Sequence, residues 1–94
     1  MQVIKRDGAV ADYDRSKIAV AIGKANAEME ECERASDGEI EQILLYIEGK
    51  KKKRMLVEDI QDIIEQKLME QGHYELAKTY IIYRYNRALV RKAN

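Results

Sequence analysis

Lys5 and Arg6 are adjacent cations that stand directly before the turn-forming pair Asp7-Gly8. Asp-Gly between two short apolar stretches predicts a β-hairpin with a two-residue type I′ turn, in which both central residues have positive φ. A helix start follows the hairpin, and Lys17 falls in its first turn. Cations at a hairpin tip beside a helix N-terminus suit an anionic ligand such as phosphate, so we predict a binding site there.

Four amphipathic helices are predicted from apolar residues that recur at helical spacing. They cover about residues 15–30, 37–48, 58–71 and 74–92. Asp14 is a good N-cap for the first helix, and Ser36 and Glu39 have the capping-box spacing before the second. Gly49 is expected to end the second helix as its C′ residue, and Gly72 is expected to end the third.

The hairpin, about residues 2–13, would be marginal by itself and gains stability from a third strand. We predict that strand at residues 55–57, the apolar segment Met-Leu-Val after the basic run. The predicted fold class is therefore α+β, mainly α: a four-helix bundle capped by a small three-stranded sheet. Arg84, Arg87 and Arg91 share one face of the last helix and are available to phosphates or to acidic neighbours.

Length and composition predict a single domain over residues 1–94. A hydrophobic fraction of 46% and a charged fraction of 36% suit one core with a charged surface. No apolar run is long enough to cross a bilayer, so no membrane partner is expected. Cys32 and His73 are the only residues of their types, which excludes an internal disulfide and disfavours a Cys/His zinc site. The single cysteine indicates a reducing, cytoplasmic setting.

The formal net charge is zero, from 17 basic and 17 acidic residues, yet five of the cations form one run at residues 50–54. We expect this run to be a solvated loop, because a flexible run of cations gives phosphate only diffuse contacts. Nucleic-acid binding by this run is accordingly the least favoured function among the hypotheses for this chain. No nucleophile–base pair or paired carboxylates stand out, so we assign no catalytic residue.

Four segments, in order, resemble the signatures of the ATP-cone family: V-I-K-R-D-G, Y-D-R-S-K-I, V-E-D-I-Q-D-I-I-E and A-K-T-Y-I-I-Y-R-Y-N-R. The resemblance covers about residues 2–89 and implies the same bundle and sheet. ATP-cones occur chiefly at the N-terminus of ribonucleotide reductase large subunits, where ATP permits turnover and dATP stops it. The resemblance therefore implies an allosteric regulatory domain that senses ATP versus dATP, and not an enzyme in itself.

The same resemblance implies the ligands and partners. ATP or dATP would bind with Mg²⁺ on the triphosphate, and the protein partner would be a reductase catalytic domain, absent from this chain. Self-association through helix faces is the other partner that the resemblance implies.

The resemblance also assigns site residues position by position. The positions that contact phosphates or face the sugar and the triphosphate are matched by Lys5, Arg6, Lys17, Val57, Gln61 and Arg87. The apolar positions around the adenine are matched by Val3, Tyr13, Ile18 and Ile60. Exposed cations on an edge strand also discourage edge-to-edge pairing, and only the family pattern favours phosphate binding over that interpretation.

Ala11 departs from the family pattern, which often has an acidic residue there to recognise the base. Asp12 is adjacent but would point to the opposite face of the strand unless a bulge intervenes. This departure keeps a second hypothesis open: a helical protein–protein interaction module with weakened or lost nucleotide binding. The exposed faces of the first and fourth helices would then form the interface.

Overall fold

Four α-helices and a three-stranded sheet form the part of the chain whose backbone is described, as predicted. A computed structural model describes the backbone of residues 1–93 and the side chains of residues 1–85. The elements are β1 (Gln2–Ile4), β2 (Val10–Asp12), α1 (Arg15–Asn26), α2 (Asp37–Gly49), β3 (Arg54–Leu56), α3 (Val57–Glu70) and α4 (Tyr74–Ala93). The α+β, mainly α class is thereby confirmed. Within the part of the chain described here, no helix has the length and apolar character needed to cross a membrane.

The helices form a closed bundle in which α1 packs against α2 and α4, and α3 packs against the same two helices. Their predicted apolar stripes meet in the centre, because each stripe needs an apolar partner to leave water. Ile47, Leu68 and Leu76 are completely buried. Burying each such side chain contributes about 1.5–3 kcal/mol to folding.

The sheet has strand order β2-β1-β3, with β1 antiparallel to β2 and parallel to β3. Val3 pairs with Ala11 on one side and Met55 on the other, so these three residues share a face. Met55 is 5% exposed and Val3 packs against the bundle core, which makes this the inner face. The predicted third strand is therefore confirmed.

Its predicted bounds, residues 55–57, are wrong by one residue, because Val57 is already the first residue of α3. The β1–β3 ladder begins earlier, where the Gln2 N–H donates to the Lys53 carbonyl at 2.8 Å. Glu58 and Asp59 follow in the first turn of α3, where acidic side chains favour a helix start.

The predicted two-residue type I′ turn of the hairpin is wrong. Gly8 has φ +87°, but Asp7 does not have positive φ. The Gly8 N–H donates to the Lys5 carbonyl at 2.9 Å, and the Lys5 N–H donates to the Ala9 carbonyl at 2.8 Å. The loop therefore holds three residues, Arg6 to Gly8, with the left-handed residue last, which is the other common hairpin geometry.

Two predicted helix ends also differ. The first helix ends at Asn26 instead of residue 30, because the Asn26 amide donates to the Ala35 carbonyl and accepts from the Ala35 N–H, at 3.0 and 3.1 Å. Gly49 is the last residue of α2 rather than its C′ residue, and Lys51 takes the left-handed conformation with φ +53°. The loop between these helices contains a 3₁₀ turn at Glu31–Glu33.

The remaining caps are confirmed. Asp14 accepts a hydrogen bond from the Ser16 N–H at 3.0 Å, and Ser36 and Glu39 form the reciprocal capping box. Gly72 ends α3 with φ +87°, and the N–H groups of Gly72 and His73 donate to carbonyls of the last turn. These bonds satisfy helix-end groups that would otherwise have no intrahelical partner.

Candidate functional site

Arg6 lies in the hairpin loop and reaches the start of α3. Its Nη2 is 3.4 Å from Oε1 of Gln61, and its Nε is 3.4 Å from Oε1 of Glu58. The Arg6 and Glu58 side chains are 45% and 59% exposed, so water and salt screen their attraction. An exposed pair of this kind contributes only about 0–1 kcal/mol, and an incoming anion can replace the carboxylate at little cost.

Arg84 of α4 meets the same amide oxygen from the other side. Its Nη1 donates to Oε1 of Gln61 at 3.3 Å, while its Nε and Nη2 both lie 2.6 Å from Oε1 of Glu65. The Arg84 and Glu65 side chains are only 24% and 15% exposed. Gln61 therefore joins the hairpin, α3 and α4, and two guanidinium groups converge on one oxygen.

Arg84 was predicted to lie on a basic helix face but not to belong to the site. Of its two predicted alternatives, phosphates or acidic neighbours, the structure pairs Arg84 with the acidic neighbour Glu65. The signal available in the sequence was the spacing of Arg84 with Arg87 and Arg91. The side chains of Arg87 and Arg91 lie outside the described residues, so the predicted role of Arg87 stays a prediction.

Lys5 stands just beyond β1, opposite Ala9, and strand alternation places it on the same side as Val3. β1 is the central strand of the sheet, so protection of an edge does not explain these cations. Lys17 is exposed in the first turn of α1, and Val57 is partly exposed at the first position of α3. Of the predicted site residues, the structure brings Arg6 and Gln61 into direct contact. Lys5 lies one residue before Arg6, Val57 lies one turn before Gln61 on α3, and Lys17 lies on α1.

The predicted adenine-facing residues lie along the edge of the core beneath the sheet. Val3, Tyr13 and Ile18 are partly buried and pack against the core. Ile60 belongs to the core itself and is 3% exposed, so it offers almost no surface in this structure. These four residues, which we call the apolar rim, belong to the core or pack against it.

Tyr13 also has a polar partner that sequence analysis missed. Its hydroxyl donates to Oε2 of Glu48 on α2 at 2.7 Å. Burial, together with this carboxylate, raises the pKa of Tyr13 above the ordinary tyrosine value. The hydroxyl is therefore fixed toward α2, and only the ring is available to the apolar rim.

The position predicted to recognise the base carries no carboxylate. β2 pairs with β1 in regular register, Ile4 with Val10, Val3 with Ala11 and Gln2 with Asp12, so no bulge shifts Asp12 toward the inner face. Ala11 lies on that inner face and is partly buried, whereas Asp12 is exposed on the other side.

Two grooves lie elsewhere on the surface. One, of about 790 Å³, runs between α1 and α2 past Ala19, Gly23 and Leu44. The other, of about 880 Å³, is lined by side chains that include Tyr13, Arg15, Glu48, Lys51, Lys52 and Lys53. Arg6, Gln61 and Arg84 are in the lining of neither groove. The candidate site is therefore a surface cluster whose arginines contact carboxylates at positions that phosphate oxygens could take.

The family model of the ATP cone domain matches residues 1–89, and the chain belongs to this family. ATP-cone domains bind adenine nucleotides and are typical of allosteric activity regulation in ribonucleotide reductases. The predicted family and its relation to these reductases are thereby confirmed.

Several curated reductases are similar to this chain. It is 35% identical to the ribonucleoside-diphosphate reductase subunit alpha of Chlamydia trachomatis over 97% of its own length, and 10% of that relative is covered. It is also 35% identical to the vitamin B12-dependent ribonucleoside-diphosphate reductase of Thermoplasma acidophilum, over 97% of the chain and 12% of the relative. The anaerobic ribonucleoside-triphosphate reductase of Haemophilus influenzae is 33% identical, over 96% and 13%. The chain thus spans about a tenth of the length of these relatives.

Proposed function

We propose that this chain is a single allosteric domain that binds ATP and dATP and controls the activity of a ribonucleotide reductase. The observation that carries the proposal is the convergence of Arg6 and Arg84 on Oε1 of Gln61. Two guanidinium groups meet at one oxygen at the junction of hairpin, α3 and α4, and each also contacts a carboxylate whose place a phosphate oxygen could take. Polyphosphate is the ligand chemistry that such a donor set suits, because each phosphate oxygen accepts charge-assisted hydrogen bonds.

In this proposal two groups of residues contact different parts of the nucleotide. Lys5, Arg6, Lys17 and Arg87 contact the phosphates, and Gln61 and Val57 lie beside the sugar and phosphates. The apolar rim packs against one side of the adenine, with the contact surface supplied by Val3, Tyr13 and Ile18, because Ile60 is almost completely buried. Mg²⁺ would accompany the triphosphate and would lower the negative charge that the arginines must balance.

The partner in this proposal is the catalytic domain of a reductase, to which the domain signals whether ATP or dATP is bound. A change of assembly through exposed helix faces would be one form of that signal. ATP and dATP differ by one hydroxyl, so a site that senses both must bind both. The surrounding structure must then respond differently to each nucleotide.

Titration calorimetry of the chain with ATP, dATP and GTP in the presence of Mg²⁺ tests the proposal. We expect ATP and dATP to bind and to raise the melting temperature, because a ligand at a hundred times its dissociation constant adds about 2.7 kcal/mol to the free energy of unfolding. GTP is the control for recognition of the base. Absence of heat and of thermal stabilisation with both adenine nucleotides would reject nucleotide binding.

The interaction-module hypothesis is favoured by one observation. Val20 on α1 and Ile82 on α4 are 56% and 51% exposed, and these two helices pack against each other. Exposed apolar residues on adjacent helices suit a protein partner. Sedimentation of the chain with and without ATP distinguishes the two hypotheses, since a module without nucleotide binding would show assembly that ATP does not change.

A further inference from the structure

Glu58 pairs with Arg6 and Glu65 pairs with Arg84, and the two pairs differ in their exposure to water. The Arg6–Glu58 pair is open to water at a distance of 3.4 Å, whereas the Arg84–Glu65 pair is shielded and has a contact of 2.6 Å. We propose that Glu65 is an internal competitor of the ligand, and that its hold on Arg84 makes the site select triphosphates over diphosphates. This inference rests on the proposed nucleotide binding.

The geometry places the two arginines within reach of one phosphate chain. Gln61 and Glu65 are one turn apart on α3, so their side chains lie on the same face of the helix. Arg84 lies between them and donates to both. Since Arg6 donates to the same oxygen of Gln61, a phosphate that reaches Arg6 has Arg84 next to it.

The two pairs release their arginines at different cost. Coulomb attraction is stronger where less water surrounds the charges, so Glu65 holds Arg84 more firmly than Glu58 holds Arg6. Any phosphate group can therefore recruit Arg6, but Arg84 leaves Glu65 only for an anion of greater charge. A third phosphate supplies that charge, and the full set of contacts forms with triphosphates alone.

Glu65→Gln tests this inference, because it removes the competing charge and keeps the size of the side chain. We expect ADP to bind at least fivefold more tightly to the variant and ATP to gain less, so that the ratio of the two dissociation constants falls. Glu70→Gln is the matched control: it makes the same change of charge on the same helix, in the exposed Lys67–Glu70 pair. It should leave the ratio unchanged. Inorganic tripolyphosphate and pyrophosphate, as competitors of ATP, should show the same difference between the variants.

Arg84→Gln provides the opposite test. It should weaken ATP binding at least tenfold and ADP binding much less, since Arg84 contributes only to triphosphates. Where Glu65→Gln lowers the melting temperature too far for titration, Glu65→Asp retains the charge but weakens the pair, and the ratio should shift in the same direction. A folded Glu65 variant with the ATP-to-ADP ratio of the wild type would overturn the inference. Wild-type chain that binds no adenine nucleotide would instead overturn the proposed function.

Discussion

Arg15 at the start of α1 and Glu48 near the end of α2 face each other through two contacts, Nε to Oε2 at 3.0 Å and Nη2 to Oε1 at 3.2 Å. The same guanidinium donates to both oxygens of Glu41, at 3.0 and 2.9 Å. The Tyr13 hydroxyl completes the network on Glu48. Because Tyr13 follows β2 directly, this network fastens the hairpin and α1 to α2.

The first prediction concerns this network. Arg15→Ala should lower the melting temperature more than Lys67→Ala does, because it leaves two carboxylates facing each other without their shared cation. Lys67, the control, makes one ion pair within α3 and one cation–π contact with Tyr46 of α2, at 3.9 Å from the ring centroid. Thermal unfolding followed by circular dichroism measures both variants. Equal effects would mean that the Arg15 network adds no more stability than an ordinary surface pair.

The second prediction ranks the cations that bind the triphosphate. Lys5→Ala or Arg6→Ala should weaken ATP binding at least tenfold, because both residues are placed by the hairpin before the ligand arrives. Lys51 and Lys52 follow a helix end in an exposed loop and would lose side-chain entropy of about 1.5–2 kcal/mol each on full ordering.

Neutralising Lys51 and Lys52 together should therefore change ATP affinity only slightly, and mainly at low salt. Calorimetry at two salt concentrations measures both sets of variants. If the loop variant lost more affinity than Arg6→Ala, the anion site would belong at the loop instead of the hairpin.

The third prediction concerns recognition of the base. Ala11→Glu would place a carboxylate on the inner face of the sheet, beside Val3, where it can accept from the amino group of adenine. A hydrogen bond of this charged kind corresponds to about tenfold in affinity, so the preference for ATP over GTP should rise by that factor. Asp12→Asn alters the outer face and should leave the preference unchanged. An unaltered preference in Ala11→Glu would separate position 11 from the base.

The fourth prediction is a pH dependence of stability. Glu39 accepts from the Ser36 N–H at 3.0 Å and contacts Nε2 of His73 at 2.9 Å, and these partners hold the pKa of Glu39 below its ordinary value of 4.5. A carboxyl with a depressed folded-state pKa stabilises only while ionised. Its contribution is present above pH 4.5 and is lost as the pH falls through the folded-state pKa.

Glu39→Gln should therefore be less stable than the wild type by a constant amount above pH 4.5, and the difference in melting temperature should shrink as the pH falls below that value. Glu33→Gln, in the exposed 3₁₀ turn, serves as the control without such a trend. A constant difference across the pH range would contradict the proposed role of the ionised Glu39 side chain.

The fifth prediction compares a glycine with positive φ, Gly8, with a glycine inside a helix, Gly23. Gly8→Ala should destabilise the fold by about 1 kcal/mol, because φ is +87° there and an added Cβ is strained in that region. Gly23→Ala should instead stabilise it by up to about 1 kcal/mol, since Gly23 is helical and its added Cβ meets nothing within 4 Å. Urea denaturation measures both. Effects of the same sign would show that backbone conformation does not control these positions.

Features fixed by local chemistry were predictable from the sequence. The capping box of Ser36 and Glu39 and the C′ position of Gly72 follow from neighbouring residues alone. The hairpin was predicted, but Asp-Gly is compatible with loops of two or three residues, and the pairing of Lys5 with Ala9 decides between them. That choice depends on strand register, which the dipeptide does not contain.

The site depends on contacts between distant residues, and fewer of these could be predicted. The resemblance brought Arg6 and Gln61 into one site, and the structure places them in contact. Whether Arg84 meets phosphate or carboxylate depends on how α4 packs on α3, because Glu65 is 19 residues away in sequence. Helical periodicity predicted on which face of α4 Arg84 lies, but not that this face packs against α3.

The parallel pairing of β1 with β3 has a consequence for the order of folding. Arg54 donates to Gln2 across 52 residues of sequence. Pairing β1 with β3 therefore closes a long loop, and the chain loses conformational entropy before the contacts of the sheet can form. The hairpin emerges from the ribosome well before its third strand and is marginal without it. We expect the contact of Arg6 with Gln61 to form after the folding transition state. A nucleotide bound at this junction would then slow unfolding and leave the folding rate unchanged.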